Sequence, residues 1–156
     1  MQRTMTGFHE DEESQWVAEL ACGHTQHVRH KPPFTLRPWV LTPEGRGERI
    51  GQTLDCPLCD RREMPNGYAA YKRTASFRRE SIPEGLLHRH SLKAGVWAIV
   101  HVVRGELEFF EPSETGETRR ALVAGERAIV LPESEHRVAA AGDVEFFIEF
   151  WRSNPA

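Results

Sequence analysis

Val144-Glu145-Phe146-Phe147-Ile148-Glu149-Phe150 sets Phe146, Ile148 and Phe150 on one face and Glu145 and Glu149 on the other. This is the period of two expected of a β-strand with one buried side. Working outward from it, residues 76–79, 85–90, 95–103, 106–110, 119–123, 126–131 and 136–139 form further short β-rich runs. Turn signals such as Ser81-Ile82-Pro83-Glu84-Gly85 and Ser113-Glu114-Thr115-Gly116 separate them. Many short strands at this spacing predict a sandwich or small barrel, so the fold class is mainly all-β.

Upstream the composition changes. Residues 30–51 hold Pro32-Pro33, Pro38, Pro43, Gly45 and Gly47, which forbids a long helix and favours short strands and turns. Trp16-Val17-Ala18-Glu19-Leu20 reads as a strand, and the acidic run Glu10-Asp11-Glu12-Glu13 before it as a solvated turn. A polar segment, Asp60-Arg61-Arg62-Glu63-Met64-Pro65-Asn66-Gly67, ends in turn chemistry. The expected domains are therefore 1–65 and 70–156, the second the sandwich or barrel of strands.

All three cysteines lie in the first part, in Cys22-Gly23-His24 and Cys56-Pro57-Leu58-Cys59. Two knuckles of this kind can converge on one ion, and four protein ligands make a closed tetrahedron, so Cys22, His24, Cys56 and Cys59 are read as a structural zinc site. His27 is the alternate fourth ligand and His30 the next. A domain this small needs such a staple. Arg29, Lys31, Arg37, Arg46 and Arg49 lie among Phe34 and Trp39, a mixture that can contact single-stranded nucleic acid. Scattered arginines beside core aromatics are ordinary in a zinc ribbon, and nucleic-acid binding is not the expectation.

In the second part His88 and His90 are two apart, which on a strand aims both imidazoles at one face, and His136 brings a third. A site of His88, His90 and His136 with open positions would admit a second divalent metal, whether zinc, iron, copper or nickel. His101 and Glu149 are alternative further ligands. Catalytic residues are unknown from sequence.

Overall balance excludes some classes. The formal net charge is −3 and mean hydropathy is −0.53, so no global charge argues for nucleic acid or an anionic membrane. The longest apolar run, Val96 to Val103, is interrupted by His101 and is too short to span a bilayer. With no apolar stretch near Met1 and with cysteines in metal-ligand spacing, a cytoplasmic protein is expected.

Residues 7–60 resemble a small bacterial domain family of unknown function. The residues carrying this are Trp16-Val17-Ala18-Glu19-Leu20, Cys22-Gly23-His24, Gln26-His27-Val28-Arg29-His30, Arg37-Pro38-Trp39-Val40 and Leu54-Asp55-Cys56-Pro57-Leu58-Cys59. The resemblance implies a zinc-ribbon-like unit and brings no activity. Further on, His88-Arg89-His90 with Gly105, then Gly125, Pro132 and His136, resembles the two cupin motifs, although Ala98 stands where many cupins place a carboxylate ligand.

Residues 77–152 are more specifically similar to the TehB/YeaR-like cupin domain associated with tellurite resistance. Phe77, Arg79, Pro83, Gly85-Leu86, His90, Lys93-Ala94-Gly95-Val96-Trp97, Gly105-Glu106-Leu107, Pro132-Glu133 and His136-Arg137-Val138 carry this likeness. It implies binding of a small anionic ligand or metal in an oxyanion or reactive-species stress response, with Arg79, Lys93 and Arg137 as anion-binding residues. It also implies a homodimer through the cupin domain. Within these residues no glycine-rich turn joins a strand to a helix, so methyl transfer is not expected. The alternatives are a metal-dependent cupin enzyme (oxygenase, isomerase or detoxification) acting at His90 and His136, and a zinc-ribbon adaptor contacting nucleic acid or protein.

Overall fold

In the computed structural model, residues 1–155 are described and the protein is mainly β. The chain divides into two compact units, Met1–Asn66 and Gly67–Ala156.

The first unit is a four-stranded antiparallel sheet in the order β3-β2-β1-β4, from β1 (Gln2–Glu10), β2 (Trp16–Leu20), β3 (Thr25–His27) and β4 (Thr53–Asp55). β1, which the opening residues did not announce, is central and buries Arg3 and Met5. Between β3 and β4 the proline-rich stretch forms a 3-10 turn, Pro38–Leu41, and helix α1 (Pro43–Arg49). Thr42 caps α1 by accepting from Gly45 N at 3.0 Å, with Pro43 at the first helical position where no N–H is needed. A second short helix, α2 (Pro57–Asp60), follows β4.

The second unit is built on β7 (Trp97–Ser113), which runs through Gly105 as one strand. Its first half pairs with β11 (Val144–Ser153) and β9 (Arg127–Val130), and its second half with β8 (Gly116–Val123) and β10 (Arg137–Ala139). β5 (Tyr68–Arg73) and the two-residue β6 (Phe77–Arg78) pair with the outer side of β11. Gly105 has φ 74°, and a Cβ there would lie 2.0 Å from the Asp143 carbonyl oxygen, so only glycine lets β7 bend past β11.

One cluster fills the concave side of this curled sheet: Ala98, Val100 and Val102; Leu107 and Phe109; Leu122, Ala128, Val130 and Val138; and Val144, Phe146 and Ile148 from β11. The alternation read in 144–150 is the alternation observed, with Phe146 fully buried. Residues 85–90, expected as a strand, are not one. Pro83 starts a turn closed by Leu86 N to Pro83 O (2.9 Å), and helix α3 (Glu84–Leu87) occupies the segment. Among the described residues no helix is long and apolar enough to cross a membrane.

Candidate metal centre and histidine pair

Cys22, His24, Cys56 and Cys59 are all buried, and their ligand atoms lie within 4.8 Å of one another. The β2–β3 hairpin makes the first knuckle. Gly23 turns at φ 92° and donates to Leu20 O, while Leu20 N donates to His24 O. The second knuckle is the start of α2, where Pro57 follows Cys56 at the first helical position and Cys59 N donates to Cys56 O at 3.1 Å.

His24 Nδ1 stands 3.4 Å from the sulphurs of Cys22 and Cys56 and 3.6 Å from that of Cys59. The Cys22 and Cys56 sulphurs are 4.0 Å apart, too far for a disulfide. A zinc ion with bonds of about 2.3 Å to sulphur and about 2.0–2.1 Å to nitrogen at tetrahedral angles sets sulphurs about 3.8 Å apart and sulphur from nitrogen by about 3.5 Å. The observed spacings have that size. On its other side His24 Nε2 donates to the Glu63 carbonyl at 2.8 Å, which fixes the tautomer and leaves the Nδ1 lone pair facing the thiols.

The electrostatics agree with this. The Cys59 thiol is held down to about 5 by the hydrogen bond from Cys22 and by that from the buried guanidinium of Arg3. Cys22, as the donor to Cys59 and by burial, is pushed well up, and burial likewise raises Cys56. Cys59 is thus the thiol that gives up its proton most readily, and the group can hold a metal ion.

The competing histidines are engaged elsewhere. His27 is exposed and its Nε2 lies 2.7 Å from Asp11 Oδ2, while His30 Nδ1 accepts from Arg37 N at 3.0 Å. Of the basic and aromatic mixture, Arg46 lies over Trp16 (3.6 Å) and Arg49 over Trp39 (5.1 Å), so both pack within the unit. Phe34 remains 88% exposed.

In the second unit the three histidines do not converge. His88 caps α3, is largely exposed and sits 3.8 Å from Glu84, because the helical turn removes the strand parity that would have aligned it with His90. His90 and His136 do meet. They form an antiparallel bridge, with His90 N to His136 O at 3.1 Å and the reverse bond at 2.9 Å, and their rings lie 4.1 Å apart edge to face. Both Nδ1 atoms face backbone carbonyls, His88 O (2.9 Å) and Ser134 O (3.0 Å). A carbonyl only accepts, so each Nδ1 carries a proton and Nε2 is the ring position left for a lone pair. Burial pushes the His136 imidazole below its usual range.

His101 and Glu149 pair with each other, and the ring of His101 stacks on Phe147. In register they belong with Ile99, Phe147 and Trp151, the face of β7 and β11 opposite the core. Arg137 is bound by both carboxylate oxygens of Glu117 and lies 3.8 Å over the Phe110 ring, so its charge is matched. Arg79 and Lys93 are exposed and form no side-chain ion pair among the described residues.

Residues 6–63 match a family described only as a protein of unknown function, DUF3565, and residues 72–148 match a family described as the TehB-like domain. A curated relative, the probable S-adenosyl-L-methionine-dependent methyltransferase TehB of Haemophilus influenzae, is 30% identical over 83 residues, 51% of this chain and 29% of that protein. The crystal structure of TehB from Haemophilus influenzae is 26% identical with a TM-score of 0.51, over 56% of this chain and 32% of that one. A crystal structure of an Escherichia coli K12 protein gives a TM-score of 0.54 at 24% identity over 59% of this chain and 97% of that one, a likeness of fold. The chain thus spans about a third of the length of the TehB proteins it resembles.

Proposed function

We propose that this protein is a non-enzymatic ligand-binding protein whose first unit is held together by one structural zinc. Its second unit, read as a cupin-like barrel of the TehB-like kind, binds a small anionic ligand or a metal at the end of its core marked by His90 and His136. The setting is a tellurite, oxyanion or reactive-species stress response. The observation that carries the reading is the closed set of Cys22, His24, Cys56 and Cys59. Four protein ligands at tetrahedral spacing leave no vacancy for substrate, so that centre serves folding and the ligand chemistry falls to the second unit. A homodimer through the second unit belongs to the same proposal and is checked by light scattering of the eluted protein.

A second reading, a metal-dependent enzyme at His90 and His136, is favoured by one observation: both rings keep Nε2 free as a possible metal ligand. Elemental analysis separates the two. The expected result is one zinc per chain, lost in Cys56→Ala and retained in His90→Ala. A second, redox-active metal lost only in His90→Ala would replace the first reading by the second.

A further inference from the structure

We infer that residues 31–41 of the first unit make a peripheral contact with an anionic lipid surface. Phe34, Leu36 and the prolines around them enter the interfacial layer of the membrane, while Arg29, Lys31 and Arg37 hold its headgroups. The inference goes beyond the ligand chemistry of the second unit and does not depend on it.

The exposure pattern of this stretch reverses the one that buries an apolar face. Phe34, Leu36 and Pro38 are exposed, whereas Thr35, Arg37 and Trp39 between them are half-buried. Pro32, Pro33 and Leu41 are exposed as well, so six of the ten residues 32–41 are apolar and face solvent. Phe34 is 88% exposed and Leu36 70%. Single apolar side chains at a surface are ordinary, but a run of neighbours marks a contact surface.

The backbone of the turn suits an apolar medium. Lys31 N donates to Thr35 O at 2.8 Å, and Thr35 N and Phe34 N donate to Lys31 O at 2.9 and 3.0 Å. Pro32 and Pro33 have no N–H to pair. No backbone donor of residues 31–35 is left over, so the tip leaves water without stranding one. The same pairing leaves no N–H here for a partner strand to bond, which disfavours a protein adding to the turn as a strand.

Charge selects the surface. From Leu20 to Pro43 the chain has no Asp or Glu, while Arg29, Lys31 and Arg37 flank the tip. None of the three makes an ion pair among the described residues. Glu13 shares a groove with Arg29 and Lys31 without pairing with either. The whole chain carries −3, so the attraction to an anionic partner is local. Apolar residues beside cations are the combination that an interfacial membrane contact needs, the first at the acyl boundary and the second among the headgroups. Single-stranded nucleic acid needs several free rings to stack on. Here the Trp39 ring already meets Phe8 (5.8 Å) and Arg49 (5.1 Å), which leaves Phe34 with prolines and leucines for neighbours.

Co-sedimentation of the whole zinc-loaded chain with vesicles at low salt tests this, using phosphatidylserine and phosphatidylcholine in equal parts against phosphatidylcholine alone. The parent is expected to partition at least about fivefold more strongly onto the mixed vesicles, the gain from one cation near the surface. Phe34→Ser should weaken that partitioning by at least about tenfold and Lys31→Gln by about fivefold. Arg127→Gln, which removes an exposed cation of the second unit, should stay near the parent. Zinc content and thermal melting of Phe34→Ser are expected to match the parent, because the ring lies in solvent. Equal binding by Phe34→Ser, or equal binding to both kinds of vesicle, overturns the inference. So does a parent that ignores vesicles. In that case retention of a short oligothymidylate, lost in Phe34→Ser, would give the tip to nucleic acid, and self-association lost in the same variant would give it to a second copy of this chain.

Discussion

Arg3 is a charged residue with only 5% of its surface exposed, and its burial makes sense beside the three thiols. A zinc ion held by three thiolates and a neutral imidazole would carry a net charge of −1, which the guanidinium beside Cys59 would neutralise. Arg3→Met keeps much of the volume and removes the charge. Zinc affinity is expected to fall about 10–100-fold, measured by competition with a chromogenic chelator, and unchanged affinity would show that Arg3 serves only packing. The four ligands were legible because CxH and CxxC are local spacings. The choice of His24 over His27 and His30 was only ranked, since it depends on Glu63 and Asp11, which lie 39 and 16 residues from the histidines they hold.

At the level of elements, β11 was the easiest to read, because one buried face writes a period of two into adjacent residues. Phe146→Ala should therefore cost about 3–5 kcal/mol in urea unfolding, as expected for a fully buried ring. β7 was read as two strands split at Gly105. A glycine between two β-rich runs suggests a turn, yet here it allows a bend within a 17-residue strand. Gly105→Ala is expected to destabilise the second unit by at least about 2 kcal/mol, through both the positive φ and the Asp143 carbonyl. A loss under half of that would mean that β11 shifts freely at this point. β1 was missed because Gln2-Arg3-Thr4-Met5-Thr6 has few apolar residues; pairing with β2 and β4 on its two sides makes it a strand.

For the molecule as a whole, the two compact units are held by different physics. The second has a contiguous apolar cluster, whereas the first places its three cysteines and His24 in its interior. Zinc binding in such small domains is itself folding free energy, with apparent values of about 10–16 kcal/mol. A strong chelator should therefore open Met1–Asn66 to proteolysis while residues 67–155 stay resistant, as read by mass spectrometry of the fragments. Equal cleavage of both units, or of neither, would contradict a structural role for the metal.

By itself the sequence determined the β character, the run of strands toward the end of the chain and the two knuckles, because periodicity and ligand spacing are properties of neighbouring residues. Only the tertiary structure decided that His24 joins the cysteines and that His88 stays apart from His90 and His136. Those outcomes follow from strand register between distant segments, where a shift of one residue turns every side chain to the opposite face.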